Sequence, residues 1–425
     1  MFERNAPIVT LSSNGYWNLK DALKLDIRDE SGIKAYKIYF KTSKEDVVFA
    51  NENFIDMKNE LSLEIKAPKV ISFTQDNEIE LVVESSDASK WNFFAGNEGV
   101  ESFKLKIDKK RPSVAILTNS YSINQGGAAL VVFKAEDEHL KSLKIETNFG
   151  KDFIPQKYYK EGYYVSLIAW PVVQNSFKAT VVAVDEAGNE TKAYIPIYLK
   201  SKEYKVSNIK LDDGFLKGKI AELASEFEET QGVDEPLEQF KLINETVRAK
   251  NEALIHEITS KVSDELLSEF KINKMYPLKN GQVVAHFGDH RKYYYDGNYV
   301  SESYHLGLDL ASNAMASIKP QNGGEVVFSD YNGLYGNMPI IHHGLGLYTL
   351  YGHCTSVNVA KGDAVSPNQD IASTGKSGYA MGDHLHFGVL VQGIEVRPAE
   401  WMDESWMKDN IYKVMKLAKE MIDRG

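Results

Sequence analysis

The chain has 425 residues, enough for two to four domains with ample cores. Its formal net charge is −11 at neutral pH and its 49 Lys and Arg residues are spread along the chain, which speaks against nucleic acid as a partner. No run approaches the roughly 18 consecutive apolar residues of a membrane-spanning helix, and the single cysteine, Cys354, leaves no internal disulfide.

The first half repeats itself. Ala6-Pro-Ile-Val-Thr-Leu-Ser-Ser-Asn-Gly-Tyr16 aligns with Arg111-Pro-Ser-Val-Ala-Ile-Leu-Thr-Asn-Ser-Tyr121. Each copy ends in an apolar strand and a turn cluster, Glu84-Ser-Ser-Asp-Ala-Ser89 and Val184-Asp-Glu-Ala-Gly-Asn189. A charged joint, Asp108-Lys-Lys-Arg-Pro112, separates them. Alternating segments punctuated in this way predict a β-sandwich over 1–108 and another over 109–202. The stretch from Val181 to Glu190 resembles the turn of bacterial immunoglobulin-like modules, so both copies are expected to be immunoglobulin-like. Neither displays an obvious site, and they read as spacers or partner-binding modules.

From Leu211 the period changes. Asp212 and Asp213 are positioned to cap a helix carrying Leu216, Ile220, Leu223 and Phe227, which Gly232 stops. Pro236 opens a second helix with Leu237, Phe240, Ile243, Val247, Leu254, Ile258 and Val262 on a broken stripe. Residues 203–273 are therefore expected to be an α-helical linker or bundle. It reads as a rigid spacer; the alternative is a segment packed beside an active-site groove. A domain over 274–403 follows. A helix within 404–425 closes the chain, with Trp406, Ile411, Met415 and Leu417 on its expected buried face.

The chemistry lies in 274–403. In Tyr304-His-Leu-Gly-Leu-Asp-Leu310 strand alternation puts His305, Gly307 and Asp309 on one side and leaves room at the glycine. In Asp383-His-Leu-His-Phe-Gly-Val389 the same rule groups His384, His386 and Gly388. A His, Asp, His ligand set suits Zn²⁺, and three protein ligands leave one position for water, as in a catalytic rather than a structural site. Zinc lowers the pKa of such a water to about 7. There is no His-Glu-x-x-His, so His353, at the end of Leu350-Tyr-Gly-His353, is the candidate base. His342 and His343 read as turn residues at a strand end, and His286 and His290 as solvated loop residues. Tyr293, Tyr294, Tyr295, Tyr299 and Tyr304 either line a substrate groove or cover a loop. Alternation turns Cys354 into the core.

From about Tyr276 to Trp401 these motifs resemble the lysostaphin-like, or LytM-type, zinc endopeptidases of peptidoglycan. The resemblance rests on His305-x-x-x-Asp309, Tyr335-Gly-Asn-Met-Pro-Ile-Ile-His-His-Gly344, Leu350-Tyr-Gly-His353 and Gly382-Asp-His-Leu-His-Phe387. It implies one Zn²⁺ held by His305, Asp309 and His386, with His353 and His384 as the catalytic pair. The expected fold is thus multidomain and mainly β: two immunoglobulin-like sandwiches, a helical linker and a C-terminal antiparallel LytM-type peptidase domain. The implied function is hydrolysis of peptide cross-links in peptidoglycan; a D,D-carboxypeptidase or a non-catalytic regulator of another wall hydrolase are the alternatives. The implied partners are peptidoglycan stems, with other wall or membrane-anchored proteins docking on the sandwiches or helices. Met1-Phe-Glu-Arg-Asn-Ala-Pro7 has no apolar core. A periplasmic or envelope location, as the resemblance implies, therefore calls for an export signal or anchor that the sequence does not display.

Overall fold

The computed structural model describes residues 3–424; Met1, Phe2 and Gly425, which the first and last expected domains include, lie outside the described residues. The chain is mainly β and divides into two compact units near Ser113, with Glu136–Leu143 and Val182–Lys192 belonging to the first. No helix among the described residues is long and apolar enough to cross a membrane.

In the first unit two long strands, Leu23–Lys41 and Asp46–Ile65, pair antiparallel and anchor a six-stranded sheet. Alternation sends Leu25 and Ile27 into the core at odd positions and Ile38 and Phe40 at even ones. The parity changes across an irregular stretch between Arg28 and Ala35, where Gly32 adopts φ +93°. An extra residue in one strand has this effect. The two turn clusters of the expected repeat share a feature. Asp87 is fully buried and accepts the backbone N–H of Ser89 and Asn97 and the Asn97 side-chain amide. Asp185 is fully buried and accepts the backbone N–H and side-chain amide of Asn189.

Strands Gln156–Lys157, Tyr163–Ala169, Ala128–Glu136 and Ser113–Asn119 form a four-stranded sheet in that order. Asp152–Phe153, Leu140–Thr147, Ala179–Asp185 and Glu190–Tyr194 form another.

The expected linker is only partly helical. Val206–Lys210 is a strand that pairs parallel with His290–Tyr295, in a sheet completed by Asn298–Tyr304. The chain is helical over 213–224 and 236–259, each run carrying one π-helical segment, Leu216–Ile220 and Ile243–Val247. The helix expected to reach Val262 stops at Thr259, and 260–273 runs without helix, burying Phe270 and Ile272. Leu254 is exposed and Ile255 takes its place inside, because the π-helical segment shifts the helical phase by one residue. The segment is also not a free spacer. Phe240, Ile243, Val247 and Ile255 share one core with Tyr293, Leu334, Met338, Ile340 and Leu350 of the following domain.

That domain is centred on an eight-stranded sheet. Its main path runs Gln282–Ala285, Leu308–Ala311, Leu385–Val391, Leu347–Gly352, Asn337–His342, Gly324–Tyr331, Ala364–Val365. Leu385–Val391 is buried throughout, as a central strand covered on both faces should be. The closing helix, Lys413–Arg424, buries Val414, Met415, Ala418 and Ile422; Leu417, expected inside, is exposed.

Phe240 is fully buried, with its ring edge-on to Tyr293 at 5.0 Å. Phe240→Ala should destabilise the second unit by about 3–5 kcal/mol, read by denaturant unfolding. A loss near zero would mean that the helices are not part of that core.

Candidate metal centre

Register across three central strands assembles the site. Asp309 on Leu308–Ala311 stands opposite His386 on Leu385–Val391, and His386 stands opposite Gly352 on Leu347–Gly352. His305 comes from a bend, not from the continuous strand expected: Asn298–Tyr304 ends before it and Leu308–Ala311 begins after it. The bend folds His305 back so that its Nε2 lies 3.0 Å from Asp309 Oδ1 and 3.1 Å from His386 Nδ1. His386 Nδ1 lies 2.9 Å from the same carboxylate oxygen. Gly307 is needed for this, though not to make room for an ion. A Cβ there would stand 2.5 Å from the His386 ring atoms Cε1 and Nε2.

The three residues are buried, and their three ligand atoms all lie within 4.8 Å of one another. The His305 Nδ1–H donates to the His286 carbonyl at 2.9 Å, which leaves the Nε2 lone pair facing the cluster. Burial alone would push the Asp309 carboxyl up, but its contacts with His305 and His386 outweigh that and hold it well below the usual carboxylate range. Burial lowers the His386 imidazole, and Asp309 opposes the shift. Ligand atoms around tetrahedral zinc at about 2.0–2.1 Å are spaced roughly 3.3–3.4 Å apart. The observed 2.9–3.1 Å spacing fits such a set drawn slightly together, so these residues can hold a metal ion.

His353 and His384 stand beside the cluster. Their rings are 4.8 Å apart, and His384 Nε2 is 3.7 Å from Asp309 Oδ2. The His353 Nδ1–H donates to the Ser377 carbonyl at 2.9 Å and the His384 Nδ1–H to the Gly382 carbonyl at 2.8 Å. Each ring therefore keeps a bare Nε2. His353 has φ +65°, an uncommon conformation for a residue with a side chain. Burial, reinforced by His386 and His384, pushes its imidazole down to about 3, so it stays neutral. All five residues line one cleft of about 450 Å³.

The remaining expectations sort around this cleft. Of the five tyrosines only Tyr304 lines it; Tyr293 is in the helix-covered core. His286 is exposed, whereas His290 is on a strand and stacks on Tyr304 at 4.3 Å. His343 is bonded to the Gly323 carbonyl and the Thr349 hydroxyl, and burial pushes it down to about 4. Cys354 is buried as expected, its thiol pushed up to about 12 by burial.

Residues 303–398 match Peptidase family M23. This stretch is an M23 peptidase domain. The chain is similar to the DD-carboxypeptidase/endopeptidase Mpg of Neisseria meningitidis, 32% identical over 94 residues, 22% of this chain and 22% of that protein. It is 30% identical over 139 residues to the peptidoglycan DD-endopeptidase ShyB of Vibrio cholerae, 33% of this chain and 30% of that protein. It is 31% identical over 96 residues to the murein hydrolase activator EnvC of Escherichia coli, 23% of each chain. The chain thus matches less than a third of the length of these curated relatives.

Three polar residues on the cleft wall, Arg248, Arg291 and Tyr379, are among those that escaped the sequence reading. Arg248 belongs to the helix Arg248–Thr259, outside the matched stretch. A signal existed, since Arg248, Glu252 and His256 recur every four residues and so share a helix face. Burial, with the nearby Glu395, raises Glu252 to about 7, and His256 Nε2 lies 2.8 Å from Glu395.

Gly307→Ala should displace the His386 ring and weaken divalent-metal binding roughly 10–100-fold, with the far-ultraviolet circular dichroism unchanged. Chelator competition measures it. Unaltered zinc affinity would show that the His386 ring does not hold the ion.

Proposed function

We propose that the chain is a zinc-dependent endopeptidase that hydrolyses peptide cross-links in bacterial peptidoglycan within the cell envelope. The observation that carries this reading is the convergence of His305, Asp309, His386, His353 and His384 on one cleft. The activities for which the Neisseria and Vibrio relatives are named agree with it.

His305 Nε2, Asp309 Oδ1 and His386 Nδ1 would hold the zinc. When bound, it supplies Lewis acidity that polarises a scissile carbonyl and makes water acidic enough to react near neutral pH. The chain's own residues do the rest. Asp309 offsets the ion's charge inside a buried site, and the His286 carbonyl fixes the His305 tautomer. His353, anchored through Nδ1 to Ser377, presents Nε2 to accept the proton of the attacking water. His384, anchored to Gly382, sets a second bare Nε2 beside it; the ring that takes the water's proton then carries an N–H, which donates to the charge that develops on the carbonyl oxygen and passes that proton on to the leaving amine. Both rings are held by backbone carbonyls, so little reorganisation is needed when the substrate arrives.

We read the two N-terminal modules, 1–108 and 109–202, as immunoglobulin-like spacers or partner-binding domains. The paired builds of the Asp87 and Asp185 turns support a true repeat. The resemblance to a murein hydrolase activator leaves a regulatory role as the second reading. The full set of five site residues speaks against it.

The test is digestion of purified peptidoglycan by the chain with and without chelator, read by liquid chromatography and mass spectrometry. Chelator-sensitive conversion of dimers to monomers is expected. His305→Ala and Asp309→Ala should lose zinc. His353→Ala and His384→Ala should keep it and lose turnover by roughly 10²–10⁴-fold. Release of a terminal residue alone would make the chain a carboxypeptidase, and no product with zinc bound would favour the regulator.

A further inference from the structure

The cleft holds more positive charge than a bare hydrolytic centre needs. Arg248 and Arg291 both line it. Of its two carboxylates, Asp309 is committed to the histidine cluster. Asp383 accepts from the Thr374 hydroxyl and the Met315 N–H. The carboxylates nearest the two arginines, Glu252 at 3.9 Å from Arg248 and Asp289 at 3.6 Å from Arg291, lie outside the cleft lining.

Arg248 is held for presentation. Its Nε donates to Asn244 at 3.2 Å (carbonyl) and 3.3 Å (Oδ1), and its Nη2 donates to Asn244 Oδ1 at 3.0 Å. Asn244 is buried and is itself fixed, its amide donating to Ser301 Oγ at 2.8 Å and to the Glu302 carbonyl at 3.1 Å. It sits in the π-helical segment Ile243–Val247, a distortion that often marks a functional position. These bonds occupy the Nε side of the guanidinium. On the other side, Nη1 lies 3.9 Å from Glu252, beyond hydrogen-bond reach, and has no acceptor among the described residues. The Nη1–Nη2 edge is the geometry that takes a carboxylate through two parallel bonds. Arg291 stands nearby, with Nε 3.6 Å from Asp289, and both arginines act on the buried Tyr379 hydroxyl. The Arg248 guanidinium lies 6.0 Å from the Tyr379 ring.

The place of this edge narrows the ligand. A second cavity of about 610 Å³ shares Arg248, Tyr304 and Leu306 with the cleft and continues past them to Lys151, Glu252 and Glu395. Arg248 therefore stands where two cavities adjoin. A cleft of about 450 Å³ is roughly 10 Å across, about three residues of extended peptide.

Resting on the peptidase reading, we propose that Arg248, assisted by Arg291, is a specificity-determining subsite for a carboxylate on the substrate peptide close to the scissile bond. Two sources share that chemistry: the free terminus of a stem peptide, and the carboxylate borne by a diamino-acid residue within a cross-link. The adjoining cavity favours the second, since it offers the peptide room beyond Arg248.

The experiment uses the full chain after chelator treatment, so that binding is read without turnover. Three synthetic cross-linked stem peptides containing diaminopimelate are titrated by calorimetry: one unmodified, one amidated at its C-terminus, one amidated on the diaminopimelate carboxylate. Amidating the diaminopimelate carboxylate should weaken binding roughly 10–100-fold, and amidating the terminus should change little. Arg248→Gln should bind all three alike, Arg248→Lys should recover part of the discrimination, and melting temperatures should show all variants folded. A preference carried by the terminal carboxylate instead would overturn the assignment of source. Equal affinity for the three peptides, no measurable binding, or discrimination surviving in Arg248→Gln would overturn the subsite. Digestion by the zinc-loaded chain separates the two readings. Turnover without discrimination leaves the peptidase without this subsite, and discrimination without turnover leaves the subsite without the peptidase.

Discussion

The site depends on one antiparallel pairing, that of Leu308–Ala311 with Leu385–Val391. It sets Asp309 against His386, and everything with chemical potential is arranged around that pair. Because strand side chains alternate, a slip of one residue would turn His386 away and bring Leu385 or Phe387 to its place. Leu385, Phe387 and Val389, which alternate with His386, are fully buried, so such a slip would place the imidazole in their apolar surroundings. The same burial makes the cluster expensive. Two imidazoles and a carboxylate drawn out of water need a counterpart to satisfy them, and a cation bound among the three is the simplest one. The glycines serve this pairing: without a Cβ at Gly307 the His386 ring fits, and at Gly352 the backbone passes close to its Cβ.

The five candidate residues were legible because histidines are few and fall in short motifs, His305-x-x-x-Asp309, Tyr351-Gly-His353 and His384-x-His386. The path that delivers them was less so. Tyr304–Leu310 reads as one alternating strand, yet the strand breaks after Tyr304 and the chain bends at Gly307, with the His305 imidazole reaching both the His286 carbonyl and Asp309. The helical stripe over 236–262 was visible as a stripe, but its phase was not. A π-helical segment moves every later residue around the helix axis, and no residue type announces one. Leu417 illustrates a different limit. A single leucine on an amphipathic helix gives no sign of which edge of the stripe faces solvent. The strand Val206–Lys210 could not be read at all, since its partner lies far along the chain.

The boundary of the family match is not the boundary of the cleft. The matched stretch holds the histidines and the aspartate, yet Arg248 and Arg291 come from before it. The helical segment that reads as a spacer is a wall: it covers one face of the domain with Phe240, Ile243 and Val247 and delivers a guanidinium to the cleft. Under the proposed function, the residues that hold the metal and those that would select the substrate come from different parts of the chain.

The parallel pairing of Val206–Lys210 with His290–Tyr295 also bears on how the molecule acquires its structure. Parallel strands require a long crossover, and here the crossover contains the whole helical segment. Loop closure must therefore precede any reward from the pairing, which places this step among the slow, non-local ones. As the chain is synthesised from its N-terminus, Val206–Lys210 is made well before its partner and waits with open hydrogen-bonding edges. Its exposed positions alternate with half-buried ones, and lysine stands at its end. Such an edge is poorly suited to pairing with a stray strand in the interval.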